Sequence, residues 1–260
     1  MTECSRRLSV SAFFLRLFAV ICMLLDHIGY CLPRASFSPI LRIIGRMAFP
    51  VFVFLIVNGL RYTHSKPKYA LRLAIFAVIS QMPFSLMTKQ IVLRENGNVF
   101  FTLLAAMLCV WWASEFWKKG GWYRVLAFLP SVLVCAGYYF DLYQSDYDMR
   151  GVLLALVFFF FEGKRVLTVI GTFAALFAPT LIGYCFQLLN ILRGREAVFK
   201  LPSLWTMQEA FSLLALIPIF LYCGAKGFAP KNKIAAKALQ IGFYAFYPVH
   251  MLLLWLLLRR

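Results

Sequence analysis

The sequence predicts an all-α, polytopic transmembrane helical bundle of about nine spans, forming a single domain over residues 1–260. Composition is the first reason. Hydrophobic residues make up 62% of the chain and charged residues only 14%, with a mean hydropathy of +0.78, too little polarity to cover the surface of a soluble domain. The second reason is that apolar runs long enough to cross about 30 Å of hydrocarbon recur along nearly the whole chain. The third is where the charge sits. A net charge of +17 would suggest nucleic acid as a partner of a soluble protein, but here Lys and Arg occupy short segments between apolar runs. There they orient helices and meet anionic lipid headgroups, so no nucleic-acid partner is expected.

Taken in order, apolar runs bounded by charge or by Pro and Gly fall at Ser11–Cys31, Ile40–Leu60, Tyr69–Met87, Val99–Trp117 and Trp122–Phe140. Gly151–Phe161, Val166–Leu189, Met207–Cys223 and Ala238–Leu258 come next. Gly151–Phe161 is too short to cross alone and either borrows residues from Asp148 onward or is re-entrant. The first run comes after Arg6 and Arg7 as a signal peptide would, yet Arg16, Asp26 and His27 interrupt it and further spans succeed it, so it is expected to be retained. With nine spans, the distribution of Lys and Arg favours a cytoplasmic N-terminus, cytoplasmic loops at Arg61–Lys68 and Lys226–Lys237, and an external loop at Asp141–Arg150. Dropping the short span changes the bias little, so charge alone does not fix the side of the C-terminus. Seven scattered cysteines, Cys4, Cys22, Cys31, Cys109, Cys135, Cys185 and Cys223, form no CxxC pair and read as packing residues.

Ionisable groups within a bilayer cost several kcal/mol unless paired or hydrated, so each is a functional candidate. The first span carries Arg16, Asp26 and His27, the second Arg46 and Asn58, the third Gln81, and the last His250 in FYPVH. Asp26, His27, Arg46 and His250 all fall towards the outer side. An imidazole titrates near neutrality, which suits His27 to general-base work, while Arg46 suits a developing oxyanion or an acidic group. Asp26 is adjacent to His27 and so points about 100° away from it, which favours a pairing with Arg46 over orientation of the imidazole. Arg16 and His27 return to within about 20° of each other on an ideal helix, roughly 16 Å apart along its axis. A cation and a base so placed suit an extended donor with phosphates at one end and a thioester at the other. The competing reading is structural: Arg16 snorkels, Asp26 and Arg46 form an interhelical ion pair, and His250 bonds a neighbouring helix. His64, in the basic segment RYTHSKPK, reads as a surface histidine, and the histidine spacing matches no metal motif.

The elements DHIG at Asp26–Gly29, GRMAFP at Gly45–Pro50 and YPVH at Tyr247–His250, with KYALRLAIFAVISQMPF, NVFFTLL and SLLALIPIFLYCGAKG between and around them, resemble the TraX family over nearly the whole chain. The resemblance implies a multi-pass inner-membrane protein that acetylates the N-terminus of a pilin, with acetyl-CoA as donor. It also implies kinship with membrane acyltransferases that modify surface glycans, whose first span has an arginine, ten intervening residues and a histidine. Arg16 and His27 match that spacing. On this carry-over His27 is the base, Asp26 and Arg46 support or polarise the reacting groups, and Arg16 contacts the acetyl-CoA. His250, Tyr247, Asn58 and Gln81 contact the acceptor, an amine or hydroxyl on an envelope protein, glycan or lipid. The sequence departs from the family at Gln81 and Ser85, where acidic residues are usual, and at Cys223, where Asn is usual. The alternatives are a small-molecule or proton-coupled transporter and a non-catalytic assembly protein.

Overall fold

The computed structural model describes residues 9–89, 97–194 and 208–258. Among them the regular structure is helical, apart from isolated bridges between Val10 and Tyr222 and between Gly97 and Ser145. Helix α1 (Ala12–Cys31) is opened by Ser11, whose hydroxyl accepts from the Phe14 amide. Helices α2 (Ser38–Gly45) and α3 (Ala48–Tyr62) together make one apolar segment. Then come α4 (Lys66–Thr88) and α5 (Val99–Lys119), the latter capped by Asn98, whose side chain accepts from the Phe100 amide. Shorter pieces succeed them: α6 (Tyr123–Leu126), α7 (Leu129–Tyr139) and α8 (Asp148–Phe160). Helix α9 (Arg165–Leu192) bends by 50° between Phe177 and Thr180. A 3₁₀ turn at Ala210–Ala215 leads into α10 (Leu216–Phe220), and α11 (Lys233–Leu258) closes the described chain.

Among the described residues, five helical segments are long and apolar enough to cross a membrane, or six if the bent α9 is one span. The expected count of nine is therefore not reached by helix length. Trp122–Phe140, expected as one span, is broken: Pro130 has no N–H to give the Leu126 carbonyl, and the Trp112 indole donates to that carbonyl instead at 3.0 Å. Of the expected span Met207–Cys223, Met207 lies outside the described residues, and the rest contains a 3₁₀ turn and a five-residue helix with Pro218. The short run at Gly151–Phe161 does borrow from Asp148 onward. Helix α8 nevertheless runs between the same two ends of the bundle as α3 and α5. Gly97 and Ser145 pair at one end, while Arg61 reaches the Phe158 and Phe159 carbonyls and Glu162 at the other.

Helix α1 packs on α2, α3 and α11, and α4 packs on α5 and α11. Leu15, Ala19, Val51, Val53, Met107, Leu154 and Met251 are fully buried between them, while Leu71, Val78, Met82, Val132 and Leu257 face outward. In lipid such an arrangement is held by close packing and interhelical hydrogen bonds. The α1–α2 contact depends on Gly45, where an added Cβ would lie 2.2 Å from the Asp26 Cβ. Cys22, Cys31, Cys109, Cys135 and Cys185 are free thiols, as packing residues would be, whereas Cys223 is disulfide-bonded and departs from that reading.

Candidate active site

The three motif segments build two hydrogen-bonded groups, an ion cluster around Asp26 and Arg46 and a histidine pair. Asp26 of α1 receives Arg42 Nη1 at 2.6 Å and Arg46 Nη2 on both carboxylate oxygens at 2.8 Å. Arg46 also donates through Nη1 to Glu209 Oε1 at 3.0 Å. Arg46 and Glu209 are only 4% and 2% exposed. Two guanidiniums and two carboxylates make the cluster neutral, which is why it can be buried. The GRMAFP element explains its shape. Gly45 lets α2 close on Asp26, Arg46 supplies the cation, and Pro50 withholds the amide that the Arg46 carbonyl would otherwise accept. Ser212 takes up that carbonyl at 3.1 Å and also reaches Glu209 Oε2 at 3.3 Å. The carboxylate beside His27 in sequence thus binds arginines rather than the imidazole.

The partner of His27 is another histidine. His27 Nδ1 lies 2.6 Å from His250 Nε2, and His250 Nδ1 lies 2.7 Å from the Phe246 carbonyl, one turn back on α11. The two imidazole planes are within 10° of each other with centroids 4.9 Å apart. That separation is the N···N distance plus a ring radius on each side, so the rings meet edge to edge, as a hydrogen bond requires. A carbonyl only accepts, so His250 Nδ1 carries the proton and its Nε2 is an acceptor in the neutral ring. His27 Nδ1 must then donate, and the network assigns the lone pair of His27 to Nε2. Tyr247 stands against both rings, with centroids 6.0 Å from His27 and 5.8 Å from His250.

On the far side of Tyr247 lies a cavity of 280 Å³ bounded by α1, α3, α4, α5 and α11, which Tyr247 lines and His27, His250 and Arg46 do not. Tyr247 and Met23, the latter one turn before His27, line one part of it. Arg16, Arg72, Tyr62 and Thr63 line the part nearest the Arg61–Lys68 loop. The Tyr247 hydroxyl is buried and bonds no described side chain. Arg16 and Tyr247 therefore share one cavity, as their expected donor and acceptor roles would need. The remaining candidates sit elsewhere. Asn58 donates to the Tyr222 hydroxyl at 2.9 Å, and Gln81 Oε1 accepts from the Asn98 amide and side chain at 3.1 and 2.8 Å, bracing the start of α5. Gln81 Nε2 turns to Ser85 Oγ at 3.2 Å.

Two residues, Glu209 and Arg72, were not singled out by sequence. Glu209 is the lone carboxylate of the expected span Met207–Cys223. Arg72 looked like a membrane boundary residue. Asp146, in the loop before α8, is partly exposed, yet loss of solvation pushes its carboxyl up to about 6, with Asp26 and Glu209 adding to the rise and Arg46 and Arg42 opposing it. His64 is exposed, and no group of three metal-ligating side chains occurs among the described residues.

Fold and site together define a helical membrane protein with a half-buried imidazole pair next to a cavity that carries arginines. The chain belongs to the TraX family, whose model, described as "TraX protein", matches residues 11–258. It is also similar to a protein of Dichelobacter nodosus described as "Probable fimbrial assembly protein FimC, serogroup H1", with 30% identity over 262 residues covering 96% of both chains. No solved structure matches the chain significantly.

Proposed function

We propose that this protein is a membrane-embedded acyltransferase that moves an acetyl group from cytoplasmic acetyl-CoA to an amine or hydroxyl at the outer side of the cell membrane. The observation that carries this reading is the hydrogen-bonded order Phe246 carbonyl, His250, His27, which leaves His27 Nε2 as a proton acceptor beside Tyr247, a residue that lines the same cavity as Arg16. The acceptor nucleophile attacks the thioester carbonyl while His27 Nε2 removes its proton. The C–O or C–N bond forms, the C–S bond breaks, and the thiolate leaves with the proton returned by His27. During the step the imidazolium is steadied through Nδ1 by His250, and the Tyr247 hydroxyl offers a donor to the carbonyl oxygen. Asp26, Arg42, Arg46 and Glu209 hold α1, α2 and the segment before α10 in place around the imidazoles.

The name of the Dichelobacter relative favours a fimbrial or pilus subunit as acceptor, with envelope glycan or lipid as the other acceptor classes. The short helices α6, α7, α8 and α10 complete crossings beside the longer ones, giving the nine-pass topology. The test is transfer of labelled acetyl from acetyl-CoA to envelope proteins, glycans or lipids by protein in nanodiscs. The reading requires a labelled acceptor with the native chain and none with His27→Ala; equal labelling by both contradicts it.

A further inference from the structure

The cavity assigns the donor more narrowly than acetyl-CoA, an inference that rests on the thioester-dependent reading above. Arg16 on α1 and Arg72 on α4 both line its basic part, and the fields of both reach the Tyr69 and Tyr244 hydroxyls beside them. Neither arginine has a carboxylate within salt-bridge distance among the described residues, in contrast to Arg42, Arg46 and Arg61. Arg72 lies over the Tyr69 ring, its guanidinium carbon 5.4 Å from the centroid, and its buried Nε has no hydrogen-bond partner. Two guanidiniums without counter-charge at one cavity make a site for a phosphate, which arginine binds with paired, charge-assisted hydrogen bonds.

Length and volume decide which group the phosphate carries. From Arg16 to His27 is about 16 Å along α1. From the phosphorus of phosphopantetheine to its sulfur there are about thirteen bonds, which at about 1.2 Å of advance each reach about 16 Å when extended. The intervening walls, Phe52, Leu55, Leu73 and Phe100, are apolar and suit the arm. A volume of 280 Å³ lies at the lower limit of small-molecule pockets, about 300–1,000 Å³, and leaves no room for an adenosine nucleotide. We infer that Arg16 and Arg72 form a phosphate clamp, that the cavity holds the pantetheine arm with its thioester near Tyr247 and His27, and that the nucleotide of CoA lies outside and is dispensable. The same chemistry is offered by free CoA and by the prosthetic arm of an acyl carrier protein.

Isothermal titration of the full chain in nanodiscs with CoA, 4′-phosphopantetheine and pantetheine tests this. Phosphopantetheine should bind within about threefold of CoA, and pantetheine about tenfold more weakly or worse. Arg72→Ala should raise the Kd of the two phosphorylated ligands about tenfold and leave pantetheine unchanged, with Arg72→Lys intermediate. Competition against phosphopantetheine then identifies the source: displacement by a holo carrier protein points to the protein-borne arm, displacement by CoA alone to the free cofactor, and either leaves the clamp standing. Binding of CoA without binding of phosphopantetheine overturns the inference while the acyltransferase reading survives. Equal weakening of all three ligands by Arg72→Ala also overturns it, because the arginine would then only support packing. If none of the three binds, the clamp and the thioester-donor reading fall together.

Discussion

Glu209→Ala removes one of the two carboxylates that neutralise Arg42 and Arg46. Arg46 would keep its bonds to Asp26, but Asp26 already serves Arg42 at 2.6 Å, so the buried cluster would pass from neutral to one net positive charge. Arg46 and Glu209 are too deeply buried for water to replace the lost partner. Breaking a buried pair from one side costs about 3–5 kcal/mol, whereas replacing both members by apolar residues of similar size is often neutral. The expected outcome is therefore a loss of about 3–5 kcal/mol for Glu209→Ala, largely recovered in the double variant Arg46→Met with Glu209→Met. Unfolding by SDS titration in mixed micelles reads both quantities, and the double-mutant cycle isolates the pair. A loss below about 1 kcal/mol for Glu209→Ala would show that the cluster is hydrated or rearranged and would refute its role in packing.

His250→Phe keeps a flat ring but deletes the acceptor for His27 Nδ1, so kcat for acetyl transfer should fall about 10–100-fold with an unchanged KM for acetyl-CoA, and His250→Gln should recover part of the rate through its amide oxygen; an unchanged kcat for His250→Phe would dissociate the pair from catalysis. Gly45→Ala should destabilise the protein by about 1–3 kcal/mol in the same SDS assay, because its Cβ has nowhere to go against Asp26. The raised Asp146 carboxyl sets a pH dependence. Its folded pKa of about 6 lies above the ordinary carboxylate value, so its contribution to stability is fully present below about pH 4 and is lost as pH rises through about 6. Asp146→Asn should accordingly raise the melting temperature at pH 7, leave it unchanged at acid pH, and flatten the profile between.

How much of this was legible in the sequence depended on whether an element is decided locally. The expected Ser11–Cys31, Ile40–Leu60, Tyr69–Met87, Val99–Trp117 and Ala238–Leu258 each lie within or within one residue of a long apolar segment, because length and hydropathy alone define them. The Asp26–Arg46 bond results from helix geometry, which turns Asp26 away from His27. Trp122–Phe140 does not form one helix because Pro130 breaks it and Trp112, outside the segment, satisfies the freed carbonyl. Glu209 and Arg72 were hidden for a related reason. At the edge of an apolar run a charge looks like a solvated flank, and only the packing of α3 against the Glu209 segment, or of α1 against α3 beside α4, turns it inward. The His27–His250 bond joins residues 223 positions apart, and no local pattern announces such a contact.

Acyl transfer with His27 as base and Arg16 at the donor stands or falls on the steady-state kinetics of Arg16→Ala and His27→Ala, measured against acetyl-CoA concentration with the protein in nanodiscs. The two side chains stand at separated points along α1, one lining the basic part of the cavity and the other beyond Tyr247 with its proton-accepting nitrogen fixed by His250. Arg16→Ala should raise the KM for acetyl-CoA and retain much of kcat, while His27→Ala should lower kcat by about 10² or more in a protein that still inserts and folds. A folded His27→Ala protein with near-normal transfer would contradict this division of labour, and so would equal losses of stability in both variants with no selective kinetic effect.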